Sequence, residues 1–431
     1  MTAPTAQDEV VELLSDLIRI NTSNPTHSER PAAEWVAAKL DEVGIASQII
    51  EAAPGRASTI ARIEGSDSSR TPLLIHGHLD VVPADADEWS VDPFSGEIRD
   101  DFVWGRGAID MKDMDAMVLA LVRDWARTGR KPPRDIVLAF VSDEEAGGRQ
   151  GAHYLVDNHA DLFADCTEAI SEVGGFSISL NENARIYAVQ TAEKGINWLQ
   201  LRANGAPGHG SMIHEDNAVT RLAEAVARIG AYHWPVVITD TVRATVAGLS
   251  QVTGRDLDPE QVDQWLPLLG PAARMIGATI RNTANPTMLE AGYKANVIPS
   301  RASATIDARF LPGQEDALLE TIDELIGDDI EREFLVRDIA VETSFDGALV
   351  DAMSSALKAE DPGAIPMPYL MSGGTDAKSF STLGMRCFGF SPLKLPADFE
   401  FMSLFHGIDE RVPVEGLKFG VRVLGRMLSN S

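Results

Sequence analysis

The stretch Ile75-His76-Gly77-His78-Leu79-Asp80-Val81-Val82-Pro83 decides how the rest of this chain is read. An apolar run from Leu73 passes into two histidines and an aspartate, then stops at a proline. Side chains alternate along a strand, so His76, His78 and Asp80 are expected on one face. Two readings fit these residue types. His78 is a metal ligand whose ring Asp80 orients, or the strand simply ends in surface histidines.

Composition narrows the field. At 431 residues the chain is long enough for two domains, and 44% hydrophobic residues suit a globular enzyme. Lys and Arg number 37 against 65 Asp and Glu, a net charge of −28. Nucleic acid and anionic membrane are therefore excluded as expected partners, because both need positive charge at the contact. Cys166 and Cys387 are too few for a disulfide framework or a cysteine metal site. The start is polar and acidic, and no run approaches the ~20 apolar residues of a membrane span. A cytoplasmic protein is expected.

Around the opening stretch, apolar periodicity predicts helices over 10–18 and 28–43, the second stopped by Gly44. Strands are predicted over 47–51, 58–63, 73–75, 136–141 and 167–170. Helices mixed with strands in this way indicate an α/β domain with a mostly parallel sheet flanked by helices. The 136–141 run ends in Ser142-Asp143-Glu144-Glu145, and the 167–170 run in Ser171-Glu172. Neighbouring carboxylates repel unless a cation balances them, and ligands gather at the carboxyl ends of such strands. Three strands ending near Asp80, Glu145 and Glu172 thus suggest a metal cage. Gly105-Arg106-Gly107 lets the backbone turn tightly and deliver Asp110 to a helix start, as a ligand or as a cap.

After Lys194 the pattern changes. A strand over 196–203, a glycine-rich loop at 205–211, helices over 217–229 and 315–326, and strands over 287–291, 295–298, 302–310 and 340–343 are expected. They indicate an inserted α+β lid domain over 194–345, with the catalytic domain formed by 1–193 and 346–431. The segment 234–281 is expected to be helical in parts, with Leu266, Leu268, Leu269, Met275 and Ile276 buried. The first pattern returns as a helix over 348–357, a strand over 387–390 and a helix over 416–428.

With these motifs assembled, the chain resembles the aminoacylase, succinyl-diaminopimelate desuccinylase and glutamate carboxypeptidase family of dinuclear zinc hydrolases. The resemblance covers nearly the whole length. It rests on His78 through Pro83, Gly105-Arg106-Gly107 through Asp110-Met111-Lys112, Glu144-Glu145, Glu172, Gly208-His209-Gly210, Asn296 with Pro299, Gly373-Gly374-Thr375-Asp376 and His406. It implies two Zn2+ per chain, replaceable by Co2+ or Mn2+. His78 and Glu172 would hold one, Glu145 and His406 the other, and Asp110 would bridge them. Glu144 would be the general base and Asp80 the partner of His78. His209 would polarise the scissile carbonyl, from the opposite subunit in dimeric members. Asn296, Arg309, Gly373, Gly374 and Thr375 would bind substrate.

The residue types agree with that chemistry. Imidazole and carboxylate suit zinc, metals acidify water, and an unbound carboxylate beside a bound one can move the proton. Trp89 through Pro93-Phe94-Ser95-Gly96 to Trp104 is most similar to the carboxypeptidase S and N-acyl amino acid hydrolase branch. The expected activity is hydrolysis of an N-acyl amino acid or small peptide with a free carboxylate. A dipeptidase or carboxypeptidase, an N-succinyl-amino acid desuccinylase and a catalytically silent binding protein are the alternatives. A homodimer through the lid is one arrangement the resemblance allows. His27, His153, His159, His214 and His233 read as surface or packing residues, with His76 left ambiguous.

Overall fold

The computed structural model describes residues 4–266 and 277–431. The chain divides into two units: one runs up to Thr191 and adds 345–368 and 375–431, the other takes 192–344 and 369–374. The short segment 369–374, assigned from sequence to the catalytic domain, groups instead with the second unit.

In the first unit, helix Ala6–Ile18 starts in a capping box between Thr5 and Asp8 and buries Val10, Leu13, Leu14, Leu17 and Ile18. The sheet runs in the order Ser47–Ala53, Arg56–Ile63, Ile136–Val141, Leu73–His78, Glu168–Ser171, Arg386–Gly389, Ala184–Glu193. Its four central strands, Ile136–Val141 to Arg386–Gly389, are parallel. The flanking pairs are antiparallel, so the sheet is mixed and its parallel part is the centre. A tight turn at Pro54-Gly55 joins the first two strands and forces them to run in opposite directions.

The Leu73–His78 strand is longer than the apolar run that announced it. Its ladder continues through His76, Gly77 and His78, opposite Ala139, Phe140 and Val141. Gly77 is required there because a Cβ would lie 2.3 Å from Asp115 Oδ1 on helix Lys112–Thr128. The helix therefore packs directly on the strand that carries His78.

The second unit holds an antiparallel sheet in the order Thr283–Ala291, Arg301–Phe310, Gly195–Asn204, Ile330–Asp338. Burial alternates along Arg301–Phe310, and helices Ala218–Ala231 and Glu315–Ile326 cover the apolar face through Leu222, Ile229, Leu318 and Ile322. Helix Asp240–Thr253 adds Val242 and Val246 to a smaller cluster with Leu266. Leu268, Leu269, Met275 and Ile276 lie outside the described residues. Among the described residues, no helix is long and apolar enough to cross a membrane.

Candidate metal centre

Strands Ile136–Val141, Leu73–His78 and Glu168–Ser171 are parallel neighbours, so their carboxyl ends lie side by side. His78 closes one, Glu172 directly follows another, and Glu144–Ala146 forms a 3₁₀ turn just beyond the third. Asp143 enters that turn with φ 70, a left-handed conformation that sharply redirects the chain. Asp110 precedes helix Lys112–Thr128, whose N-cap is Met111 with no side-chain capping bond. Its carboxylate faces two histidines instead.

The ligating atoms form two triads that share Asp110: His78, Asp110 and Glu172, and Asp110, Glu145 and His406. His78 Nε2 lies 3.1 Å from Asp110 Oδ1 and 3.5 Å from Glu172 Oε2. His406 Nε2 lies 3.2 Å from Asp110 Oδ2 and 3.3 Å from Glu145 Oε2. Ligands about 2.1 Å from a tetrahedral cation are about 3.4 Å from one another, so these spacings fit an ion in each triad. Glu145 Oε1 is buried with no hydrogen-bond partner, so its lone pairs suit a cation. The donor set fits a pair of divalent metals, with each Asp110 oxygen turned to a different triad.

The electrostatics say the same. Burial opposes charge on His78, yet Glu172 and Asp110 push its pKa well up. Hydrogen bonds to Asp110 and Glu145 push His406 up to about 10. Burial lifts Glu172 to about 7. Burial also lifts Glu144 well above the carboxylate range, Glu172 and Asp376 adding to it against His78. Positive charge on the imidazoles offsets the clustered carboxylates, which is also what a bound cation would do.

Asp80 meets His78 chiefly through its main chain. His78 Nδ1 meets the Asp80 main-chain oxygen at 2.8 Å, whereas the carboxylate is 3.7 Å away. That carboxylate accepts instead from Glu144 N and Glu145 N, each at 3.1 Å, and from Asn24 Nδ2 at 2.9 Å. It therefore pins the turn carrying Glu144 and Glu145. Asn24 also reaches Asp143 at 3.1 Å; nothing local in the sequence marks it for this contact. Asp376, quoted in a motif without a role, is buried with Oδ2 unpartnered. His76 packs its ring 4.7 Å from Phe380, and burial pushes its pKa down to about 3. It is a neutral packing histidine.

Other candidates lie in the second unit. His209 pairs with Val297 across a short ladder, and Gly210 N donates to Asn296 O at 3.0 Å, so the His209 and Asn296 turns adjoin. His209 is exposed, with Nδ1 2.8 Å from Ser211 Oγ. Arg309 pairs with Asp307 at 2.6 Å and stands opposite Ile196. The structure does not bring Arg309 to His209. Strand pairing puts about 26 Å between Arg309 and the Asn204–Arg301 pair, beyond which those turns begin. Gly373 and Gly374 follow Met371, whose oxygen accepts from Lys194 N at the Arg309 end. Thr375 is the first residue back in the first unit.

A family model described as peptidase family M20/M25/M40 matches residues 74–430. The chain belongs to that family. It is 28% identical over 454 residues to the N-fatty-acyl-amino acid synthase/hydrolase PM20D1 of Xenopus tropicalis, covering 100% of this chain and 87% of the relative. It is 27% identical over 437 residues to aminoacylase-1 of Sus scrofa, covering 97% and 94%. Its fold is similar to the M20 family metallo-carboxypeptidase Sso-CP2 of Sulfolobus solfataricus, with TM-score 0.74, 19% identity and coverage of 98% and 99%. As an M20 member the protein is a metal-dependent hydrolase.

Proposed function

We propose that this chain binds two Zn2+ ions and hydrolyses the amide bond of an N-acyl amino acid. The observation that carries the reading is the pair of ligand triads sharing Asp110, with the unliganded carboxylate of Glu144 beside Glu145. The N-acyl amino acid hydrolase and aminoacylase named among its relatives favour the substrate class. Two divalent cations, when bound, supply Lewis acidity and a lowered pKa for water. Glu144 takes the proton from the attacking water and delivers it to the leaving nitrogen. The Asp80 carboxylate holds the Glu144 backbone in place for both transfers. His209 donates to the developing oxyanion. Arg309, with backbone near Gly373, Gly374 and Thr375, takes the substrate carboxylate.

Arg309 lies in the four-stranded sheet and His209 in a separate two-stranded ladder beyond its far end; the two roles are divided between subunits, His209 and Asn296 serving the partner's site. Strand Thr283–Ala291 is an edge of its sheet, and Met288, Leu289, Tyr293, Met212 and Ile213 are exposed in this unit. An unpaired edge with exposed large apolar groups suits a homodimer interface. A cytoplasmic setting completes the proposal, supported by Cys166 and Cys387 as buried free thiols.

The test is turnover of a panel of N-acyl amino acids against dipeptides and N-succinyl amino acids, with Zn2+, Co2+ and Mn2+ compared. Preference for dipeptides under every metal would refute the substrate assignment. Inactive Glu144→Gln and His209→Ala chains should regain activity when mixed, since one hybrid site is then intact. No recovery despite subunit exchange would refute division of the site.

A further inference from the structure

Arg106 is the one side chain of the Gly105-Arg106-Gly107 turn, and it is 4% exposed. The chemistry proposed above gives it no task. Its Nη1 donates to Glu410 Oε2 at 2.7 Å, and its Nη2 reaches the His406 main-chain oxygen at 3.4 Å. The other Glu410 oxygen accepts from Ile109 N at 2.8 Å, and the Glu410 carbonyl accepts from Gly105 N at 2.9 Å. The Arg106 guanidinium lies over the Trp89 ring, 5.2 Å from its centroid. One buried ion pair thus joins the backbone just before Asp110 to the backbone of His406.

His406 needs such a hold more than His78 does. His78 ends a laddered strand opposite Val141, and its side chain is 1% exposed. His406 follows a 3₁₀ turn, Phe401–Ser403, in a loop; its φ is 56 and its side chain is 55% exposed. A left-handed backbone at a non-glycine residue persists only where its surroundings enforce it. The Arg106 guanidinium, held by Glu410, meets the His406 main-chain oxygen.

We propose that Arg106 and Glu410 are a positioning pair for the triad Asp110, Glu145 and His406, setting the metal affinity of that triad more strongly than that of the one containing His78. The inference rests on the dinuclear reading above. Partners that orient metal ligands are worth about 10- to 100-fold in metal affinity.

The test titrates Zn2+ alone into the metal-free full chain by calorimetry, with Co2+ absorption as a second readout. Two variants are compared with the unaltered chain. Arg106→Lys keeps a cation for Glu410 but cannot also span to the His406 oxygen; Glu410→Gln removes the carboxylate. Each should weaken one of two metal equivalents about 10- to 100-fold and the other, which shares Asp110, clearly less, with excess Zn2+ restoring turnover. Equal weakening of both equivalents would show a general structural role and overturn the inference, as would no change in either. If Glu410→Gln fails to fold, Arg106→Lys alone decides between these outcomes. Fewer than two equivalents in the unaltered chain would instead overturn the dinuclear reading, and this inference with it.

Discussion

Asp80→Asn separates two accounts of the most legible motif in the chain. If the carboxylate served the His78 ring, the substitution would weaken the cation held by His78 and Glu172. The structure puts the effect elsewhere. The two Asp80 oxygens accept from different backbone donors, Oδ1 from Glu144 N and Oδ2 from Glu145 N, with Asn24 also on Oδ2. An asparagine has one oxygen, so whichever way it turns, a backbone N–H faces an NH2 group. Keeping the two bonds at Oδ2 leaves Glu144 N without its acceptor. Losing a hydrogen bond to a charged, buried acceptor costs about 1.5–3 kcal/mol, a factor of about 10 to 150. This loss falls on the turn that positions the base. The main-chain oxygen that meets His78 Nδ1 is untouched. The expected result is kcat lower by about 10- to 150-fold with KM changed less, and a full Zn2+ equivalent retained at the His78 triad. Steady-state kinetics and metal titration on the same preparation check it. Selective loss of the His78 equivalent with kcat unchanged at saturating Zn2+ would refute the reasoning.

Other outcomes follow from the same geometry. Glu144→Gln should lower kcat by about 10²- to 10⁴-fold while elemental analysis finds the metal content unchanged; normal turnover would remove Glu144 as base. The raised pKa values of His78 and His406 mean that the metal-free chain holds protons there at neutral pH, so Zn2+ binding should release protons and strengthen as pH rises. Calorimetry in buffers of different ionisation heat tests this, and identical heats would contradict it. In the metal-free chain, the charged His406 stabilises the fold below its ordinary pKa of 6.5, a contribution lost as pH rises through about 10. Thermal denaturation with and without chelator, followed across that window, reads the effect. Under the proposed dimer, Leu289→Lys places a charge on the exposed edge strand and should turn dimer into monomer by ultracentrifugation and lower activity; an unchanged mass would refute this edge as an interface. Asp361 is buried between Arg185 and Tyr187, so Asp361→Ala should cost about 3–5 kcal/mol in denaturant titrations.

Local patterns carried much of this protein. An apolar run that gives way to ligating groups marks a strand end whatever surrounds it, because side-chain period and solubility act within a few residues. That is why the ends at His78, Glu145 and Glu172 were legible, as was helix Glu315–Ile326. Strands were missed where the local signal was broken. Ala184–Glu193 buries Gln190, Thr191 and Glu193, Ala364–Met371 contains Pro366 and Pro368, and Ile330–Asp338 carries charged residues in runs, Glu331-Arg332-Glu333 and Arg337-Asp338.

By itself, then, the sequence determined which residue types could hold metals and that three of them stand at strand ends. Only the tertiary structure decided which atoms meet. The Asp80 carboxylate turned to the Glu144–Glu145 turn because parallel pairing set strands Leu73–His78 and Ile136–Val141 side by side. Arg106 found Glu410 across some three hundred residues because strand Arg411–Pro413 pairs with Phe102–Trp104. Arg309 and His209 were parted by the length of a ten-residue strand. Spacing along a chain says nothing of such meetings, since they depend on which strands pair and in what register.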